Sequence, residues 1–172
     1  MGDTAGVRIR AEPLDPEAWA AFGWLPVDDT NPAVGAHRLT FEWGDPHLNV
    51  ISHAADEVER HGDALRCDAL YRHVTHSQAL HVLNTEAVVA VAAPGTVFDG
   101  PADAARISAF HLVPGQCLVL FPGTWHWGPF PLGEAPVRLL NLQGQRYLED
   151  NTCVDLAAVG AAVDVVVAAP RP

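Results

Sequence analysis

The sequence predicts an all-β fold, with short strands curled into a barrel or sandwich and one short helix near the N-terminus. Three observations predict it. About eight apolar or alternating runs follow one another, separated by Gly- and Pro-rich turns. Only one stretch, Asp15-Pro16-Glu17, opens like a helix. The stretch Gly115 to Trp127 reads as a turn, a buried strand, a second turn and a presented histidine.

Taken in order, Val7 to Ala11 alternates and predicts a first strand. Asp15 is placed to cap a helix, with Pro16 at its first position and Glu17 near its positive end. Trp19 and Phe22 lie three apart on one face, and Gly23 is the expected stop. Trp24 to Gly35 reads as loop, with two prolines and Asp28-Asp29. Strands are expected over His37 to Trp43 and His47 to His53, joined by Gly44-Asp45-Pro46. Ala54 to Arg66 is polar and reads as a loop or one short helix. Ala69 to His73, Gln78 to Leu83 and Ala87 to Ala93 read as strands, and Pro94 to Ala105 as a turn-rich loop. Arg106 to Val113 and Cys117 to Phe121 follow as strands. Pro122-Gly123 reverses the chain, and His126 begins the next strand. Val137 to Leu142 is expected after a bend over Pro129 to Pro136. Asn151 to Pro172 reads as a short helix, an added strand over Asp164 to Ala168, or a tail. The chain reads as one domain over 1–172, with 1–6 and about 157–172 as loose ends.

Composition narrows the function. With 172 residues and 49% hydrophobic residues, the chain can build a substantial core. A net charge of −11 argues against nucleic acid and against an anionic membrane surface as partners. It leaves room for a small anionic substrate, since a few inward cations set a local potential. Cys67, Cys117 and Cys153 are odd in number and widely spaced, which argues against disulfides and zinc-thiolate chemistry. Reduced thiols and the lack of a signal-like N-terminus predict a cytoplasmic protein. The most apolar stretch, Val154 to Ala169, contains Asp155 and Asp164 and is too short to span a bilayer.

The order Gly115, six residues, Pro122-Gly123, two residues, His126 resembles the second motif of the cupins. That resemblance implies a double-stranded β-helix (jelly-roll) barrel, with His126 pointing into its mouth, often onto a metal. The first motif of metal-binding cupins is His-x-His, three or four residues, then Glu. Here Tyr71 and His73 take the histidine places and Gln78 the glutamate place. His73, Gln78 and His126 are thus the ligand set implied for a divalent metal: nickel, zinc or manganese. A phenol at Tyr71 is a poor ligand near neutral pH but a usable acid. The competing reading makes His73 an ordinary cavity histidine bonded to a backbone group. His76 is expected on an exposed turn. Trp125 and Trp127 must point away from His126 by strand alternation and are expected to pack. Among the scattered histidines, only His53 is expected near the mouth.

Over roughly Ile9 to Leu156 the chain resembles the ureidoglycolate lyases of the cupin superfamily. The resemblance is carried by the run Ala11 to Gly23, by Arg72-His73 with Ser77-Gln78-Ala79, by Pro122-Gly123-Thr124-Trp125-His126, and loosely by Asn151-Thr152-Cys153. The family's Glu before Arg-His is Tyr71 here, its second His after Trp is Trp127, and its Asp-Arg pair reads Gln145-Arg146. An arginine of an earlier strand falls at His53.

The resemblance implies cleavage of the C–N bond of (S)-ureidoglycolate, or a close analogue, to glyoxylate and urea, within allantoin degradation. It also implies a homodimer. His73 or His126 would ligate the metal or act as base, and Tyr71 would be the acid for the leaving urea. Arg72 would pair with the substrate carboxylate, or else form an outer-face salt bridge. Gln78, Ser77 and His53 complete the expected substrate contacts. The departures keep two alternatives open: a cupin enzyme of another class, such as a metal-dependent isomerase, oxygenase or pathway-specific lyase, or a non-catalytic binding cupin.

Overall fold

The strand β8, Ala87–Ala92, is buried at every position and shows how the molecule is layered. Its side chains alternate between two cores. Val89 and Val91 join one apolar cluster, while Val88, Ala90 and Ala92 join the other. A strand covered on both faces must be apolar throughout, and this one is.

The computed structural model describes residues 6–168. The helix α1, Pro16–Trp19, starts as the sequence predicts. The Asp15 carboxylate accepts from the amides of Glu17 and Ala18, each at 3.0 Å. Around it run β1 (Val7–Pro13), β2 (Gly23–Trp24), β3 (Pro46–His53), β4 (Arg60–His61), β5 (Ala64–Cys67), β6 (Ala69–Arg72) and β7 (Gln78–Val82). After β8 come β9 (Ser108–Leu112), β10 (Cys117–Leu120), β11 (Trp125–Pro131), β12 (Val137–Gly144), β13 (Thr152–Asp155) and β14 (Val163–Val167). Short 3₁₀ helices cover Ala55–Glu57 and Pro101–Arg106.

The strands form a nine-stranded sheet, ordered β13-β6-β11-β8-β9-β1-β14-β5-β4, and a five-stranded sheet, ordered β2-β10-β7-β12-β3. One cluster lies between the sheets and includes Leu80, Leu118, Leu139, Val89 and Phe110, closed by Trp19 and Phe22. The other lies on the reverse face of β6, β11 and β8, where the large sheet curls over itself and brings Leu65 and Val163 onto Leu70 and Trp127. This is the all-β, curled barrel the sequence predicts, and Trp19 and Phe22 are core as expected.

Several elements differ from expectation. Residues 37–43 form no continuous strand, and only Phe41 makes a bridge, to His76. That segment is tied to residues 75–77 instead, through Glu42 N–H to Thr75 O and Ser77 N–H to Thr40 O, both at 2.8 Å. The polar segment 54–66 contains β4 and the start of β5, which pairs with β14. Pro129 and Pro131 lie inside β11, so the bend before β12 is shorter than predicted. Gly23 does not stop the helix, which ends four residues earlier. It lies in β2, where a Cβ would sit 1.7 Å from the Val119 carbonyl oxygen.

Of the options for the C-terminal segment, the structure takes the added strand. β14 lies between β1 and β5, so residues through Val167 are not a loose end. The expected loose ends at 1–5 and 169–172 lie outside the described residues.

Candidate active site

Two turns bring the histidines together. Gly123 sits in the left-handed region at φ 84, as a reversal after β10 requires. Its N–H donates to the His73 carbonyl at 2.6 Å, tying that turn to the end of β6. Thr124 anchors the same turn through its hydroxyl to the Phe22 carbonyl at 2.7 Å. β11 then begins, and His126 pairs in register with Tyr71 on one side and Val91 on the other. Since Val91 belongs to the inter-sheet cluster, His126 faces the barrel interior. Trp125 and Trp127 point the opposite way, into the second core, as alternation predicts.

The His73 ring lies 5.5 Å from that of His126, centroid to centroid. His73 is buried, and its Nδ1 donates to the backbone carbonyl of Asp150. A carbonyl only accepts, so the neutral ring carries its proton on Nδ1 and leaves Nε2 as a lone pair. His126 Nδ1 makes a longer bond, 3.2 Å, to the Thr124 carbonyl. Burial, aided by the neighbouring His73, lowers the His126 pKa to about 4.

His76 contradicts its expected exposure. It is 3% exposed and stacks on His73, with Nδ1 3.6 Å from Asp150 Oδ2. Its Nε2 is buried without a partner. Burial and the adjacent His73 push its pKa down to about 4, against the pull of Asp150. Asp150 itself is buried. Desolvation alone would raise its carboxyl, but donors from Thr75 and Val74 outweigh that and hold it below the ordinary range. Sequence reasoning missed both residues. The one available signal for Asp150 was its place directly before the Asn151-Thr152-Cys153 run.

The remaining expected residues divide. Gln78 faces the interior and donates to Asn141 Oδ1 at 2.8 Å, and Asn141 donates on to Asn49 at 2.8 Å. Gln78 Oε1 is buried without a partner. Tyr71 shares the His126 side of its sheet but is 42% exposed at the rim. Cys153 beside it and partial burial raise its pKa.

Arg72 lies over the Trp125 ring at 4.3 Å, on the face away from His126. Its guanidinium thus faces away from the histidines, and among the described residues it forms no salt bridge. Ser77 is a clamp rather than a substrate contact, its hydroxyl accepting from the Thr40 amide at 2.9 Å. His53 is not near the mouth. It pairs with Val137, whereas the histidine cluster lies at the Gly144 end of β12, beside Pro46. Seven strand steps of about 3.3 Å put roughly 23 Å between those ends. His53 instead holds Glu57 at 2.9 Å and packs on Phe130.

At the His76 end lies a small cleft of about 10 Å³, lined by Phe41, Trp43, Asp45, Thr75, His76, Gly144 and Arg146. The Arg146 guanidinium lies 5.5 Å from the Trp43 ring centroid and is the cation of this cleft.

The implied metal fits poorly. Its expected donors are two imidazoles and one neutral amide oxygen, with no carboxylate. The Gln78 nitrogen holds Asn141, and only Oε1, buried and without a partner, is left to ligate. His73 and His76 stack rather than converge. Among the described residues no group of three or more His, Cys, Asp or Glu side chains is arranged to hold a metal ion. No helix of the described residues is long and apolar enough to cross a membrane.

Solved structures that match include the L-ribose isomerase of Cellulomonas parahominis without ligand. It is 19% identical, the match covers 81% of this chain and 70% of that one, and the TM-score is 0.47. No curated protein matches the sequence. The family model described as ureidoglycolate lyase matches residues 7–163, which include both histidine-bearing turns and the strands that carry them. The chain belongs to the ureidoglycolate lyase family of the cupin superfamily.

Proposed function

We propose that His73 and His126 carry the lyase chemistry of this family, acting on ureidoglycolate or a close analogue. The observation that carries the assignment is the approach of these two rings, one from the turn after β6 and one from β11, at one end of the inter-sheet interior. The reaction converts a carbinolamide to an aldehyde. The hydroxyl loses its proton, the C=O bond forms as the C–N bond breaks, and the departing nitrogen gains a proton to become urea.

A base must reach that hydroxyl. His73 Nε2 is free for it, because Nδ1 holds the ring's proton on the Asp150 carbonyl. His126, neutral near pH 7 with its N–H on the Thr124 carbonyl, presents Nε2 to the same space as an acceptor. It orients the substrate by taking a hydrogen bond from its hydroxyl or urea N–H. Tyr71, next to His126 across the strand pair, is the acid for the leaving nitrogen.

The substrate in this reading is a small anion. With Arg72 turned onto Trp125, we assign its carboxylate to Arg146 at the edge of the adjoining cleft, which at about 10 Å³ must widen to admit it and which Asp45 also lines. The residues do not favour a resident nickel, zinc or manganese ion, and no step here runs through one. The enzyme is proposed to work in the cytoplasm as a homodimer, and the three unpaired cysteines suit a reducing compartment.

The test is direct. Purified protein should release urea and glyoxylate in equal amounts from (S)-ureidoglycolate, and His73→Ala or His126→Ala should each lower kcat by roughly 10²–10⁴-fold. Variants that keep the full rate would remove the assignment.

A further inference from the structure

Asp150 lies in the turn between β12 and β13, far along the chain from the histidine turn. It meets that turn with both its backbone and its side chain. The carbonyl accepts from His73 Nδ1. Oδ1 accepts from the Val74 amide at 2.9 Å. Oδ2 accepts from the Thr75 amide at 2.7 Å and the Thr75 hydroxyl at 2.5 Å, and it lies 3.6 Å from His76 Nδ1. Four groups of residues 73–75 therefore end on one residue, and the His76 ring lies against it.

We propose that Asp150 is the positioning residue of this site, fixing His73 in the tautomer whose free Nε2 faces the substrate. The inference rests on the assignment of His73 as base and deepens it. A neutral imidazole has a single N–H, and a backbone carbonyl cannot donate. The carbonyl opposite Nδ1 therefore selects one of two tautomers, and the selection is only as good as the carbonyl's placement. The carboxylate supplies that placement. Three donors on a buried, charged acceptor are strong bonds, and they hold the Asp150 backbone against the turn. The carboxylate does not itself reach the reacting atoms, since its oxygens are taken by the turn amides and the Thr75 hydroxyl. Its effect passes through His73.

The experiment reads the His73 tautomer by ¹⁵N-resolved NMR in the full-length protein, together with kcat and KM on (S)-ureidoglycolate. Wild type should show the Nδ1–H form. Asp150→Ala frees the loop, so His73 should become a mixture of tautomers, and kcat should fall tenfold or more with KM changed less than twofold. Asp150→Asn keeps one acceptor oxygen and the backbone carbonyl but turns an NH2 towards a donor of the turn, and should give both signals between wild type and Asp150→Ala.

A wild-type His73 protonated on Nε2 overturns the proposal. So does an Asp150→Ala protein with unchanged His73 resonances, or one whose tautomer changes while kcat does not. If Asp150→Ala fails to fold, Thr75→Ala removes only the hydroxyl bond. A partial tautomer shift there supports the idea, and none overturns it. The NMR reading needs no substrate. A protein that leaves ureidoglycolate intact but shows the Asp150-dependent tautomer would sink the lyase assignment and spare the positional role.

Discussion

The rings of His73 and His76 stack with centroids 4.8 Å apart and planes inclined by 21°. Two imidazoles in such contact resist being charged together, and His126 adds a third ring 5.5 Å from His73. The site is thus a set of imidazoles in which His76 and His126 stay neutral across ordinary pH, both with pKa lowered to about 4.

That arrangement predicts a loss of stability in mild acid. In the unfolded chain a histidine titrates near 6.5, so below that pH the unfolded state binds more protons than the folded one. The stability from neutral His76 and His126 is complete above pH 6.5 and is lost as pH falls towards 4. At about 1.4 kcal/mol per pKa unit, one such ring accounts for about 3 kcal/mol over that range. The Asp150 carboxyl, held low, gives up its own contribution only at still lower pH. Urea unfolding at pH 7.5 and pH 5 should show the drop, and His76→Gln should reduce it. An unchanged pH dependence in that variant would contradict this account.

Gly144 gives the His76 ring its space. A Cβ there would fall 2.6 Å from His76 Nδ1 and 2.7 Å from Cγ. The ring is buried and stacked, so it can yield only by disturbing His73. Gly144→Ala should cost about 1–3 kcal/mol in a thermal melt and lower kcat together with it. A variant with native stability and rate would show that the ring has room the structure denies it.

How far this was legible from sequence depended on the range of the cause. Asp15-Pro16-Glu17, the Gly115 and Gly123 turns, and the His126 strand with its outward tryptophans are local matters of backbone and alternation, and all were readable. Ala64–Cys67 sits among charges, pairs with β4 over two residues only, and is completed as a strand by β14, which no local pattern announces. The position of His53 turns on the register of β3 against β12, and that register sends it to the far end. His76 looked like a turn residue and is one, yet Phe41, Gly144 and Asp150 close over it from distant parts of the chain.

Gly23 faces a harder limit than Gly144. The atom that a Cβ would strike is backbone, the Val119 carbonyl oxygen, which also accepts from Trp19 Nε1 at 3.0 Å. Gly23→Ala should destabilise by more than about 3 kcal/mol or prevent folding. Gly133→Ala, with open space around it, is the control and should melt like the wild type.

The two arginines should separate cleanly. Arg146→Ala should raise KM for ureidoglycolate about tenfold or more and leave the fold intact, since it lines the cleft. Arg72→Ala should lower the melting temperature through the lost Trp125 contact and leave KM near its starting value. The reverse pattern would return the carboxylate to Arg72.

The donor set predicts an enzyme that tolerates chelation. After dialysis against EDTA, elemental analysis should find no stoichiometric nickel, zinc or manganese, and the rate should stand. A chelated protein that recovers only with one of those ions would place a metal at His73, Gln78 and His126 after all.

The position of β14 bears on how the polypeptide is made. Val163–Val167 is synthesised late, yet it is the piece that joins the N-terminal strand to the hairpin of β4 and β5. Until it clears the ribosome, two unpaired strand edges stand open on a nascent chain that cannot close them. Premature termination upstream of Val163 should therefore yield aggregates rather than a smaller working enzyme.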